Sequence, residues 1–246
     1  MIEQILDIRT GDGDMETFIC YPERGGPYRA IFLLMDAPGI REELCDMARR
    51  LATVGYYVLL PNLYYRAGRD TMYGLDVLVE GSADHTAMRA IRTKMTIPPV
   101  MEDVGSMINY VDSQDMAKPG AIGVHGYCMS GPFAFAVAAQ MADRVKASAS
   151  FHGVRLCIDT PDSPHLDADK IRGEMYFGCA ETDDWAPPEM IEALAAHMQQ
   201  SGANYRIEWY PGTHHGFVFP QRQGMYDKIS AERHYERLFA MFNRNL

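Results

Sequence analysis

Ala121-Ile122-Gly123-Val124-His125-Gly126-Tyr127-Cys128-Met129-Ser130-Gly131-Pro132-Phe133-Ala134-Phe135-Ala136-Val137 carries the sharpest structural signal in the chain. It opens as a short apolar strand and closes as an Ala-rich helix. Between them lies a tight turn with small residues two positions before and two positions after a lone Cys. This is the pattern of a nucleophile elbow, the strand–turn–helix written G-x-S-x-G. Such a turn holds the nucleophile in a strained backbone conformation, and a Cβ two residues away on either side would collide with it. Gly126 meets the first requirement, and Ser130, backed by Gly131, is the smallest substitute for the second glycine. Ser130 does not fit as the nucleophile, because its own flanking positions are Cys128 and Pro132. Cys128 is therefore singled out. The plainer alternative is a strand–helix turn around a structural Cys, since free Cys is commonly a small core hydrophobe.

The chain on either side of the elbow alternates strand and helix. Residues 2–21 read as two strands around Gly11-Asp12-Gly13-Asp14. Arg29 to Met35 is a continuous apolar run of strand length, as expected of a strand covered on both faces, and Asp36-Ala37-Pro38-Gly39-Ile40 follows as a loop. Glu42 to Val54 takes a helical period, and Tyr56 to Leu60 is the next buried strand. After the elbow come strands at Lys146–His152, Ile171–Gly178 and Tyr205–Tyr210, and helices at Val100–Asp112, Pro188–Ser201 and Ile229–Asn245. This order predicts an α/β fold with a mostly parallel central sheet and helices on both faces. The pattern blurs from Asn62 to Pro99, which reads as a cap-like insertion at about 62–99 in a single domain spanning 1–246.

Composition narrows the function. A formal net charge of −10 argues against sequence-independent nucleic-acid binding, which needs basic patches. The five Cys residues are odd in number and show no C-x-x-C spacing, which fits free thiols better than a disulfide framework or a zinc site. The N-terminus lacks a signal-peptide plan, and no apolar run approaches the ~18–20 residues of a membrane span. The expectation is a cytoplasmic protein that needs no metal or cofactor and binds no membrane. Its oligomeric state is not legible.

A thiol nucleophile needs a base, and the base needs an orienting acid. In a parallel α/β sheet these groups meet when each sits at the carboxyl end of a strand, in the chain order nucleophile, acid, His. One later strand end carries Gly178-Cys179-Ala180-Glu181-Thr182-Asp183-Asp184-Trp185-Ala186-Pro187, where either Asp183 or Asp184 suits the acid. The other carries Tyr210-Pro211-Gly212-Thr213-His214-His215-Gly216-Phe217, where either His214 or His215 suits the base.

With these motifs the chain resembles the dienelactone hydrolase family of α/β-hydrolases over nearly its whole length. The most specific parts are Gly126-Tyr127-Cys128-Met129, the Gly178–Pro187 loop and Gly212-Thr213-His214-His215-Gly216-Phe217. The resemblance implies an α/β-hydrolase fold and selects Asp183, four residues before a helix-opening Pro, and His215, two residues before a Phe. It also implies an acid near the nucleophile at the end of the first buried strand. Asp36 holds that place, where the family carries the longer Glu.

The mechanism so implied is hydrolysis of a small ester or lactone through a thioester on Cys128. His215 takes the thiol proton and later activates water, and Asp183 fixes its tautomer. The N–H groups of Met129 and Ala37 are the expected oxyanion donors, since Pro38 has none. Tyr65, Arg66, His152 and Phe217 are expected at the substrate pocket. The family places a substrate-binding arginine four residues after its His, where this chain has Phe219, so neutral substrates are expected to fare at least as well as anionic ones. Two other readings compete: a silent or redox-responsive ligand-binding member of the fold, and acyl transfer to an acceptor other than water.

Overall fold

In the computed structural model, which describes residues 1–69 and 73–246, the apolar runs become buried strands and the chain takes an α/β-hydrolase fold with mostly parallel strand pairing. Asp70, Thr71 and Met72, part of the 62–99 stretch expected as a cap, lie outside the described residues. The chain forms two compact units, Met1–Gly120 and Ala121–Leu246.

In the first unit, β1 (Ile2–Thr10) and β2 (Gly13–Tyr21) form an antiparallel hairpin in the register Ile2↔Tyr21 to Thr10↔Gly13. β2 pairs antiparallel with β4 (Tyr57–Pro61), which pairs parallel with β3 (Tyr28–Leu34). Every residue from Ala30 to Leu34 and from Tyr57 to Leu60 is buried, which accounts for their unbroken apolar sequence. Helix α1 (Glu42–Thr53) packs on β4 and β2 with Leu44, Met47, Ala48 and Leu51 inward. Within 62–99 lie two short 3₁₀ turns, Tyr65–Ala67 and Leu75–Leu78, and α2 (Ala83–Arg92), capped by the Ser82 hydroxyl. Helix α3 spans Ile97–Asp112 and so begins three residues before the expected Val100. Pro98 and Pro99 sit in its first turn, where a missing N–H costs no helical hydrogen bond.

In the second unit, β5 (Ala117–Tyr127), whose residues from Ala121 belong here, pairs in parallel with β6 (Val145–Phe151). β6 pairs with β7 (Glu174–Thr182), and β7 with β8 (Asn204–His214), both in parallel. Helix α4 (Gly131–Gln140) and helix α6 (Lys228–Asn245) cover opposite faces of β6. Ser148 donates to the Ala134 carbonyl of α4 at 2.8 Å, whereas the Phe151 ring meets His234 of α6 at 4.4 Å. Residues three apart on a strand point to opposite faces. Helix α4 is buried almost all round, as its composition of Ala, Phe and Val requires, while α5 (Pro188–Ser201) buries only one stripe.

Candidate active site

Four side chains stand at the carboxyl ends of four adjacent parallel strands in the second unit: Cys128 after β5, His152 after β6, Asp183 after β7 and His215 after β8. Each strand delivers its loop to the same edge of the sheet, so residues up to 87 positions apart in sequence converge there.

Cys128 sits in the left-handed region at φ 53°, a conformation that costs about 1 kcal/mol or more for a residue with a Cβ. The elbow holds it there. The Ser130 hydroxyl accepts the Tyr127 N–H at 2.9 Å and donates to the Tyr127 carbonyl at 3.1 Å, locking the turn from inside. A Cβ on Gly126 would lie 2.4 Å from the Ser130 carbonyl oxygen, so only glycine fits. Ser130 thus spends its hydroxyl on the turn.

The acid and imidazole loops resolve by burial. Asp183 and His215 are buried, whereas Asp184 and His214 are exposed. His214 is the last residue of β8, drawn into the strand by its pairing with Thr182, so it faces away while its neighbour turns inward. Asp183 uses one oxygen, Oδ1, to accept the N–H groups of Trp185 and Ala186, each at 2.9 Å. Its Oδ2 accepts from His215 Nδ1 at 2.7 Å. Burial by itself would lower the pKa of His215, but the negative charge of Cys128, the hydrogen bonds to Asp183 and Cys128, and the charge of Asp183 together raise it to about 9.

His152 lies beside His215, their ring centroids 4.7 Å apart in an edge-to-face contact. Burial, then the proximity of His215, Arg222 and His234, hold its pKa well below 6.5. Beneath the elbow, Tyr127 packs against Phe151, His152, Phe219 and His234. The His234 Nδ1 meets the Ala231 carbonyl at 3.1 Å, which requires a donor there. Nε2 is then the acceptor of the Tyr127 hydroxyl at 2.7 Å. Phe217 stacks on Tyr210, and Phe219 lies fully buried with the Arg222 guanidinium 4.7 Å above its ring.

His234 and Arg222 are absent from the sequence expectations. A histidine on the apolar stripe of a closing helix carries no signal beyond its i, i+4 spacing from Leu238. Arg222 lies seven residues after His215, not at the four-residue offset that the family resemblance implies.

In the first unit, Asp36 is fully buried and ion-paired with Arg41 through Nη1 at 2.5 Å and Nη2 at 3.3 Å, and Arg41 also holds Glu43. The Ala37 carbonyl accepts the Tyr64 hydroxyl at 2.8 Å. Tyr65 and Arg66 spend their polar atoms within this unit. The Tyr65 hydroxyl bonds Thr10 at 2.8 Å and Asp103 at 2.7 Å, and Arg66 bonds Asp103 with two nitrogens and Asp12 with a third. Buried Asp103 leaves Arg66 committed to neutralising it, since an unpaired buried carboxylate costs several kcal/mol. Among the described residues, no group of three or more His, Cys, Asp or Glu side chains is arranged to hold a metal ion, and no helix is long and apolar enough to cross a membrane.

Fold and elbow together define an α/β-hydrolase fold with Cys128 at the tip of its strand–turn–helix elbow. The model of the Dienelactone hydrolase family matches residues 15–246, and the chain belongs to that family of hydrolases. It is 26% identical over 237 residues to the "Putative carboxymethylenebutenolidase" of Synechocystis sp., covering 93% of this chain and 91% of that protein. Among solved structures, the "Putative Dienelactone Hydrolase" of Klebsiella pneumoniae superposes with a TM-score of 0.86 at 20% identity, over 98% of both chains. A dienelactone hydrolase-like promiscuous phosphotriesterase from metagenomic libraries follows at 0.79 and 17% identity, covering 99% of this chain and 98% of that one.

Proposed function

We propose that the protein hydrolyses a small carboxylic ester or lactone through a thioester on Cys128, with His215 as base and Asp183 as the acid that orients it. One observation carries this reading: His215 is bonded to Asp183 at 2.7 Å through one nitrogen, while its protonation responds to the thiol at the elbow. The imidazole takes the thiol proton, and the thiolate attacks the ester carbonyl. In this reading the Met129 N–H supports the developing oxyanion, with the Ala37 N–H as the second donor expected from the sequence. Asp36, the acid expected to modulate the thiol, has its charge paired with Arg41 within the first unit. His152 and Phe217 border the reacting groups, whereas Tyr65 and Arg66 spend their polar atoms on partners within the first unit. Arg66 is committed to Asp103 and Asp12, and in this reading a neutral substrate fares at least as well as an anionic one. The five free cysteines fit a reducing compartment such as the cytoplasm.

The test is turnover of 4-nitrophenyl acetate together with the intact mass of the protein during turnover. Cys128→Ala is expected to abolish both turnover and the acyl adduct while keeping the fold. Cys128→Ser is expected to keep only a trace, because a hydroxyl lacks the acidity of the thiol. Undiminished turnover by Cys128→Ala would remove Cys128 from the mechanism.

A further inference from the structure

His152 is the one histidine of the candidate site that the reading above leaves without chemical work, and its surroundings are unusual. The side chain is fully buried, yet neither Nδ1 nor Nε2 has a hydrogen-bond partner within the protein. A buried polar atom left unpaired is costly, and one beside a reacting group is accounted for when a catalytic role completes it. The backbone spends further energy on the position, because His152 lies at φ 38°, outside the regions ordinary side chains prefer.

The placement is enforced from three directions. The His152 N–H donates to the Gly178 carbonyl at 2.7 Å, tying it to the end of β7. Two residues on, the Val154 N–H donates to the Cys128 carbonyl at 3.1 Å, tying the same loop to the elbow. Between them, Gly153 meets the first turn of α4 so closely that a Cβ on Gly131 would lie 2.5 Å from the Gly153 Cα. The ring then has His215 on one side and Phe217, Phe219 and Tyr127 around it, with the Arg222 guanidinium and the His234 imidazole also close enough to oppose a positive charge on it. Such a ring stays neutral while His215 carries the proton, and a neutral imidazole is able both to donate and to accept.

We propose that His152 hydrogen-bonds the oxygen that exchanges its proton with His215: the leaving-group oxygen when the thioester forms, and the attacking water when it breaks. The inference rests on the thioester reading. In the first half-reaction the thiolate bonds the ester carbon, the C–O bond breaks, and protonated His215 gives its proton to the departing oxygen. In the second, water gives a proton to Nε2 of His215 and its oxygen bonds the thioester carbon. The C–S bond then breaks, and the sulfur leaves as the thiolate beside the protonated imidazole. The same place beside His215 holds the exchanging oxygen both times, so one neighbouring ring serves both.

The two halves make different demands, which supplies the test. A nitrophenolate leaves without needing a proton, so acylation by 4-nitrophenyl acetate is insensitive to His152. Water always needs orienting, so deacylation is sensitive. His152→Phe keeps the ring and removes both nitrogens. It is expected to leave the burst rate of nitrophenolate release within about threefold of the parent and to slow steady-state turnover by about 10- to 100-fold. The acyl-enzyme then accumulates toward one adduct per chain by intact mass. His152→Gln, which restores a polar atom, recovers at least a threefold share of the lost turnover. Should His152→Phe fail to fold, His152→Leu removes the same nitrogens in a smaller side chain and is held to the same criteria. Turnover within threefold of the parent, a burst that falls as far as turnover, or no recovery in His152→Gln overturns the role of His152. Full turnover by Cys128→Ala instead removes the thioester reading, and this proposal with it.

Discussion

Replacing Asp183 by Asn changes one atom, and the structure dictates which way the new amide points. The Oδ1 of Asp183 accepts two backbone N–H groups, from Trp185 and Ala186, both at 2.9 Å. An amide turned with its NH₂ toward that loop would lose both bonds, each worth about 1 kcal/mol, and would press donor against donor. The carbonyl oxygen of Asn therefore stays with the loop, by at least about 2 kcal/mol, and the NH₂ faces His215 Nδ1 across a gap of 2.7 Å. Nδ1 must then become an acceptor, which moves the imidazole proton to Nε2. That tautomer is unable to take the thiol proton. The change also removes a buried negative charge beside a group that becomes positive, where charge-assisted bonds are about twice as strong as neutral ones. In a Ser-His-Asp enzyme the equivalent change lowers kcat by about 10⁴, or about 5.5 kcal/mol, and a similar loss is expected for Asp183→Asn. Stability should hardly move, since both loop bonds survive, and urea unfolding checks that. Asp183→Ala is expected to cost more stability, because two backbone donors, the Ala186 N–H buried and the Trp185 N–H partly so, lose their acceptor. The assay is kcat for a neutral nitrophenyl ester at pH 7. A loss of less than tenfold in Asp183→Asn with an unchanged urea midpoint would refute the orienting role of the carboxylate.

Other outcomes follow from the same geometry. His215→Ala is expected to lower kcat by several orders of magnitude and His214→Ala by less than threefold, because His214 is exposed; equal losses would exchange the assignment. By histidine NMR, one imidazole should titrate near 9, and its pKa should fall in Cys128→Ala, which removes the thiol whose charge helps raise it. Because the folded pKa lies above the unfolded value of about 6.5, this group's contribution to stability is fully present below about pH 6.5 and is lost as pH rises through about 9. The urea midpoint of the parent should therefore decline across that window more than that of His215→Gln. Gly126→Ala places a Cβ 2.4 Å from the Ser130 carbonyl and is expected to cost about 1–3 kcal/mol by urea unfolding, with activity falling as the elbow shifts.

Much of this protein is written in local sequence. The elbow is legible because a strained turn tolerates only small residues at its flanks, and the buried strands are legible because parallel strands covered on both faces need unbroken apolar runs. Those signals act over a few residues, and they place Cys128, the Asp183–Asp184 pair and the His214–His215 pair at strand ends without reference to the rest of the chain. Choosing within each pair is another matter. A sequence has no burial, and it is the pairing of Thr182 with His214 that carries β8 four residues past its expected end at Tyr210, to His214, and turns His215 inward. Long-range chemistry is equally invisible. Arg66 reads as an available cation until the fold sets it against Asp103, 37 positions away. His234 reads as one more residue on a helix until α6 brings it to the Tyr127 hydroxyl, 107 positions away. Turns and strands are decided by steric and solvation terms that neighbouring residues supply. Which polar atoms find partners, and which imidazoles are left without one, is decided only when distant segments pack.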